Sequence, residues 1–248
     1  MQLKQLCDFC DEYLKVDEFK DYCPNGLQVE ANPEVQRIVC GVTASQALIE
    51  AAIEQNADTL IVHHGYFWKG EAQPLTGFKG RRIRSLMQNN INLLAFHLPL
   101  DAHAQVGNNV QLAKVMGWNL AGSFGEQGIV YEGSLVEPRT LADLSRDIES
   151  RLDTRVISIS GGEHRVRKLA WCTGAAQGFI EAAAERGVDV FISGEISEPT
   201  FHSAREMGIH YIGAGHHATE RYGVQALAAV IAERFGVHQQ YIDIPNPV

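Results

Sequence analysis

Five of the ten histidines stand in three short clusters with carboxylates nearby, and these are the residues whose types could do chemistry. The first cluster, "DTLIVHHGYFWKG", sets His63 and His64 directly after the apolar run Leu60-Ile61-Val62. The second, "HLPLDAH", places His97 four residues before Asp101, and the third, "GHHATE", places His216 four residues before Glu220. Imidazole and carboxylate together are borderline ligands that suit Zn, Mn, Fe or Co. Neighbouring side chains on a regular strand point to opposite faces. His63 and His64 therefore converge on one site only if the strand turns, which Gly65 would permit. Converging, they can serve two ions, one each; otherwise they are a solvated pair at a strand end. In "GHHATE", residues three and four apart share a helix face, so either His216 or His217 can join Glu220. The matching spacing of His97 and Asp101 favours His216. Pro99 predicts a bend through "HLPLD" rather than a regular helix. His103, His164, His202, His210 and His238 stand alone and read as hydrogen-bonded surface or core residues.

The elements that position these clusters come from a chain that repeats itself. Val35 to His64 aligns with Val166 to Glu195 at a constant offset of 131, without gaps. Ten of the thirty positions are identical, among them Ala44/Ala175, Glu50/Glu181, Asp58/Asp189 and Ile61/Ile192. This indicates a duplication. Each copy predicts strand, helix, strand: a short apolar strand at Arg37 to Cys40, a capping box at Thr43-Ala44-Ser45-Gln46, and a helix through "ALIEAAIEQ". Asn56 and Gly187 end the two helices, and "DTLIV" and "DVFIS" follow as buried strands. Such a unit favours a parallel right-handed crossover, and ligands gather at the carboxyl ends of its strands. His63 and His64 lie at one such end; Gly194 and Glu195 lie at the other. Between the copies, residues 125–165 read as a smaller strand–helix–strand elaboration, with Thr140 as N-cap and Gly161-Gly162 as a turn. The expected fold class is α/β, and a helix is predicted over Leu3 to Leu14.

Composition removes other classes. The 248 residues are 45% hydrophobic and 21% charged, the profile of an ordinary globular protein. A net charge of −9 argues against a duplex nucleic-acid groove. No apolar run suits a membrane span and no signal-peptide pattern opens the chain, so a cytoplasmic protein is expected. The five cysteines are scattered. Cys7 and Cys10 form one CxxC without a second pair, which fits one face of the first helix better than a zinc site. "GAGHHA" matches a dinucleotide fingerprint, but too little chain follows it for the rest of that fold. Neither a Walker A loop nor a G-x-S-x-G elbow is present.

The segments "YCPNGLQVE", "GVTASQAL", "IVHHGYFWKGE", "HLPLDAH", "NNVQLA", "FISGEISE", "HSARE", "GHHATER" and "YIDIPNPV" span nearly the whole sequence. Together they resemble the GTP cyclohydrolase I type 2 homologue family, also called the Nif-three-like dinuclear metal family, in its bacterial YbgI-type branch. The resemblance implies two intertwined α/β repeats with mixed sheets in one family unit over residues 1–248. The first repeat would cover about 1–124 and the second about 125–248, including the segment 125–165. It implies two divalent ions per subunit, Fe, Mn, Zn or Mg, held by His63, His64, Asp101, His216 and Glu220, with His97 as an extra ligand or an outer partner. It also implies a toroidal homohexamer. The family's name implies hydrolytic opening of a purine nucleotide ring by a water that the ions activate. His97 or Glu195 would shuttle the proton, and Tyr66 or Trp68 would stack on a base or serve as lid or core aromatics. Two other readings are a metal-binding or regulatory scaffold without catalysis, and a di-metal phosphoesterase or amidohydrolase on another small molecule.

Overall fold

In a computed structural model that describes residues 1–248, alternate side chains of each central strand enter different apolar clusters, which is why helices can cover both faces of each sheet. The chain divides into two compact units, Met1–Val106 with Gly223–Pro245, and Gly107–Tyr222 with Asn246–Val248. These units cut the chain at other places than the sequence repeat does.

The first unit holds helix α1 (Leu3–Leu14), strands β1 (Gly26–Val29) and β2 (Arg37–Thr43), helix α2 (Gln46–Glu54) and strand β3 (Thr59–His64). Helix α3 (Gly77–Gln88), strand β4 (Asn92–Ala95) and the short helix α4 (Leu98–Ala102) follow. Its sheet has the order β1-β4-β3-β2, extended by a strand from the chain's end, His238–Tyr241; only β1 runs antiparallel to its neighbour. Ile38, Cys40 and Ile61 pack with α1 and with Val224, Leu227 and Ile231. Val39, Leu60 and Val62 face the other way, onto Leu48, Ile49 and Ala52 of α2 and Ile83 and Leu86 of α3.

The second unit holds α5 (Asn108–Met116), β5 (Asn119–Phe124), β6 (Val130–Arg139), α6 (Leu141–Leu152), β7 (Ile157–Ile159) and β8 (Val166–Cys172). It continues through α7 (Ile180–Glu185), β9 (Val190–Ser193), α8 (Glu198–Met207), β10 (His210–Gly213) and α9 (His216–Thr219). The helix α10 (Arg221–Phe235) and the strand β11 (His238–Tyr241) complete the chain's regular elements. The second sheet, ordered β5-β6-β8-β9-β10-β7, is also mixed, with β8, β9 and β10 parallel. Leu169, Trp171 and Ile192 pack beside α5 and α6, while Ala170, Cys172 and Phe191 pack beside α7 and α8.

The duplication is visible in the pairing register. Ile38 pairs with Thr59 and Leu169 with Val190, the same pair displaced by 131. The shared aspartate has a structural reason. Asp58 Oδ2 accepts the backbone N–H groups of Gln36 and Arg37, and Asp189 Oδ2 accepts those of Arg167 and Lys168. Each carboxylate thus ties the start of one strand to the start of its parallel neighbour.

Three local expectations change. Thr43 ends β2, and the N-cap of α2 is Ser45, whose hydroxyl accepts from the Leu48 N–H, so no capping box forms at Thr43. Pro99 does not bend the chain: it sits in the first turn of α4, where a missing N–H costs nothing. Gly65 is not left-handed; its side would meet Gln28 Oε1 at 2.2 Å and Ala95 Cβ at 2.6 Å, so close approach is what requires glycine. The caps at Thr140, Asn56 and Gly187 take the expected forms.

Candidate metal centre

In the first unit, β3 ends in the histidine pair, and α4 follows β4, the next strand of the same parallel layer. His63 is fully buried and His64 half-buried, with ring centroids 4.5 Å apart. The two imidazoles therefore converge although both belong to the strand. His97, the N-cap residue of α4, brings a third ring, 5.2 Å from His63 and 5.8 Å from His64. One ring nitrogen from each of the three lies within 4.8 Å of the others.

Each ring is oriented by a fixed partner. His63 Nδ1 lies 2.8 Å from the Phe96 carbonyl, which can only accept, so Nδ1 carries the proton there. Its other ring nitrogen, Nε2, faces Asp101 Oδ1 at 3.4 Å. A lone pair opposite a carboxylate oxygen repels unless a proton or a metal cation lies between them. His64 Nδ1 is 3.2 Å from Thr43 Oγ1, its cross-strand neighbour. His97 Nδ1 is 2.7 Å from Asp21 Oδ1. Asp21 also accepts the N–H groups of Tyr22 and Leu98 and the amide of Asn25. Burial pushes the Asp21 carboxyl up, but His97 and these donors outweigh it and hold the group at about 2. Asn25 in turn accepts the His97 backbone N–H at 2.7 Å. A carboxylate, a carbonyl and a hydroxyl on one ring nitrogen of each imidazole are the kind of outer shell that orients metal-binding histidines.

In the second unit, α9 follows β10 as α4 follows β4. His216 stands between two carboxylates: Nδ1 is 2.8 Å from Glu195 Oε1 and Nε2 is 3.1 Å from Glu220 Oε2. Burial lowers the His216 pKa, but the two carboxylates outweigh it and raise it to about 9. Glu220 is only 2% exposed. It occupies space that a glycine leaves: a Cβ on Gly174 would lie 2.1 Å from Glu220 Oε1 and 3.2 Å from His216 Nε2. Gly194 likewise admits the His216 backbone, since its Cβ would meet His216 Cα at 2.8 Å.

These donor sets fit divalent metal. The Nε2 of His63, the buried carboxylates Asp101 and Glu220, and the glycine cradle at Gly174 are nitrogen and oxygen donors of held orientation that could hold such an ion. His63, His64, His97 and Asp101 fall together in one unit, and His216, Glu220 and Glu195 in the other. His217 is buried, and its N–H donates to the Val248 carbonyl. Tyr66 is a core aromatic with its hydroxyl on the Ala44 carbonyl, whereas Trp68 is half-buried and stands 5.0 Å from His97. The "GAGHHA" match leads into a four-residue helix, too short for a dinucleotide turn. Cys7 and Cys10 are both on α1 among apolar neighbours. Reading the sequence did not find Asp21, Asn25 or Gly174. Their only local signal is position: Asp21 and Asn25 flank "YCP", and Gly174 is the duplication mate of Thr43.

The sequence profile of the Duf34/NIF3 (NGG1p interacting factor 3) family matches residues 1–247. A Pseudomonas aeruginosa protein named GTP cyclohydrolase 1 type 2 homolog is 52% identical over 248 residues, covering 99% of this chain and 98% of that one. The solved structure of the ybgI protein, described as of unknown function, is 47% identical, covers 100% of both chains and superposes with a TM-score of 0.97. A crystal structure of a Thermus thermophilus protein is 34% identical over 100% of both chains, with a TM-score of 0.91. No helix is long and apolar enough to cross a membrane. The mixed α/β fold with two mixed sheets, the match along nearly the whole chain and these relatives agree: the chain belongs to the Duf34/NIF3 family.

Proposed function

We propose that this chain is a divalent-metal-dependent hydrolase in which His63, His64, Asp101, His216 and Glu220 hold two ions, Fe, Mn, Zn or Mg. The observation that supports the reading is the orientation of His63, whose Nδ1 is held by the Phe96 carbonyl at 2.8 Å while its Nε2 is turned to the buried Asp101 at 3.4 Å. Bound ions would supply Lewis acidity toward water and substrate at neutral pH. The chain's residues do the rest. Asp21 fixes the His97 ring so that Nε2 is free to take or give a proton. Glu195 holds His216 by Nδ1 and so acts as a positioning residue. Asp101 and Glu220 offset cationic charge from buried positions. The names of the relatives support a purine nucleotide as substrate, its ring opened by hydrolysis. In the same reading the chain is cytoplasmic and assembles as a toroidal homohexamer.

Elemental analysis of the purified chain and of Glu220→Ala tests the ligand set: the variant loses at least one metal per subunit, and full metal content would remove Glu220 from it. Prolonged incubation with GTP and other nucleotides, with Mn, Fe and Zn each supplied, tests the reaction. Turnover that disappears in His64→Ala with assembly intact supports the enzyme. An absence of turnover, together with dissociation on chelation, supports a metal-held scaffold instead.

A further inference from the structure

The loop of residues 65–76, between β3 and α3, is pinned along its length. Glu71 Oε2 accepts the N–H groups of Phe67 and Trp68 at 3.0 and 3.2 Å. The same oxygen meets Lys79 Nζ at 3.3 Å, and Lys79, only 8% exposed, also donates to the Ala72 carbonyl. A lysine is rarely buried unless paired, and here the pairing locks one loop. Lys69 N–H donates to the Tyr22 carbonyl, and Tyr66 N–H to Gln28 Oε1. Phe67 takes a left-handed conformation, φ 66°, which the pins must hold in place.

What this loop positions is an indole. Trp68 stands 5.0 Å from His97 with their planes at 85°, and 5.9 Å from His64. It is only half-buried, whereas Trp118 and Trp171 lie in the core 5.2 Å apart. A rigidly held, half-exposed tryptophan beside two imidazoles offers a flat apolar face next to groups that bond polar edges. A flat ligand with a polar rim matches both, and that is the shape of a nitrogen heterocycle such as a nucleobase.

We propose that Trp68 is the stacking residue for a planar nitrogen-heteroaromatic group of the substrate, with Glu71 and Lys79 as the positioning residues that hold it. This rests on the hydrolase reading for the identity of the site, and the test separates the two. Binding of guanosine monophosphate is followed by equilibrium dialysis and by tryptophan fluorescence, in metal-free and metal-loaded protein, against ribose 5-phosphate and inorganic triphosphate. Because the other two indoles are buried, quenching of the accessible fraction reports Trp68. The expected result is saturable quenching by the nucleotide alone. Trp68→Leu weakens nucleotide binding about tenfold or more, the size of one base–aromatic stack, and Trp68→Phe stays within about threefold. Metal content is unchanged in both. Glu71→Gln, which keeps the indole, raises acrylamide quenching of Trp68 and weakens nucleotide binding. Unchanged nucleotide affinity in Trp68→Leu, equal binding of the base-free ligands, or loss of metal from Trp68→Leu would each overturn the proposal. A parent protein that binds nucleotide through Trp68 but holds no metal would instead overturn the hydrolase reading alone.

Discussion

Replacing Gly174 by alanine tests the second unit's donor set with a built-in control. Gly174 has φ 68°, and its Cβ would lie 2.1 Å from Glu220 Oε1 and 3.2 Å from His216 Nε2. Gly187 has φ 67°, and a Cβ there meets nothing within 4 Å. Both substitutions incur the left-handed strain of an L-residue, about 1–2 kcal/mol. At roughly 2–4 °C per kcal/mol for a chain of this size, each lowers Tm by about 2–8 °C. Only Gly174→Ala also displaces a buried carboxylate. To regain ordinary contact the Glu220 oxygen must retreat by roughly 1 Å or more, which adds about 1–3 kcal/mol of overpacking. The same retreat disturbs the 3.1 Å contact between Glu220 and His216. Metal affinity in Gly174→Ala therefore falls at least about tenfold, as it does when support around a ligand is lost. Gly187→Ala binds as the parent does. Calorimetry of the metal-free proteins gives the stability terms, and competition with a chelator for Zn or Mn gives the affinities. Parent-like affinity in Gly174→Ala, or an equal loss in Gly187→Ala, would refute the reasoning.

Thr43→Val removes the hydroxyl that faces His64 Nδ1 at 3.2 Å; metal affinity measured by chelator competition falls about tenfold, while the fold is retained. Leu60→Ala, at a fully buried position of the first sheet, costs about 2–5 kcal/mol in denaturant unfolding. His210 gives a pH dependence: burial lowers its pKa below 6.5, while its Nδ1 accepts the Gly161 N–H and its Nε2 faces the His164 carbonyl. The folded chain thus holds this ring neutral while the unfolded chain protonates it near pH 6.5. Its contribution is fully present above that pH and is lost as pH falls toward the folded pKa. The stability of His210→Gln, from denaturant midpoints between pH 7 and 5, falls less steeply than that of the parent.

Much of the architecture was legible because it is local or periodic. The helix at Leu3–Leu14 and the buried strands ending at His64 and Ser193 follow from side-chain pattern, and the caps from residue type. The repeat was legible because the same offset governs sequence identity and strand register. What was not legible is non-local or depends on a missing atom. Asp21 meets His97 across 76 residues, and no spacing rule connects them. Gly174 reads as an ordinary turn until the Glu220 carboxylate is seen in the space it vacates. The bend expected at Pro99 does not form because proline's disfavour for a helix interior does not extend to a first turn. Trp68 and Tyr66 look alike in sequence, both aromatic and two apart, yet one is pinned beside imidazoles and the other is buried under Ala44.

The two copies of the duplicated segment carry different chemistry at equivalent positions, and sterics explain why they cannot be the same. At the offset of 131, Thr43 corresponds to Gly174, His63 to Gly194 and His64 to Glu195. Restoring threonine at 174 would drive a Cβ into Glu220, and restoring histidine at 194 would drive one into the Gly174 carbonyl at 2.7 Å and His216 Cα at 2.8 Å. While His216 and Glu220 keep their places, the first copy's residues are excluded from the second. The first copy therefore presents imidazoles from a strand end, and the second gives up that strand end so that α9 can move in, leaving Glu195 to hold His216 from the other side. An exact repeat would have supplied only imidazoles at both strand ends. The diverged one places an imidazole trio with one carboxylate in the first unit and a single imidazole between two carboxylates in the second, nitrogen and oxygen donors of the kind that suits divalent metal.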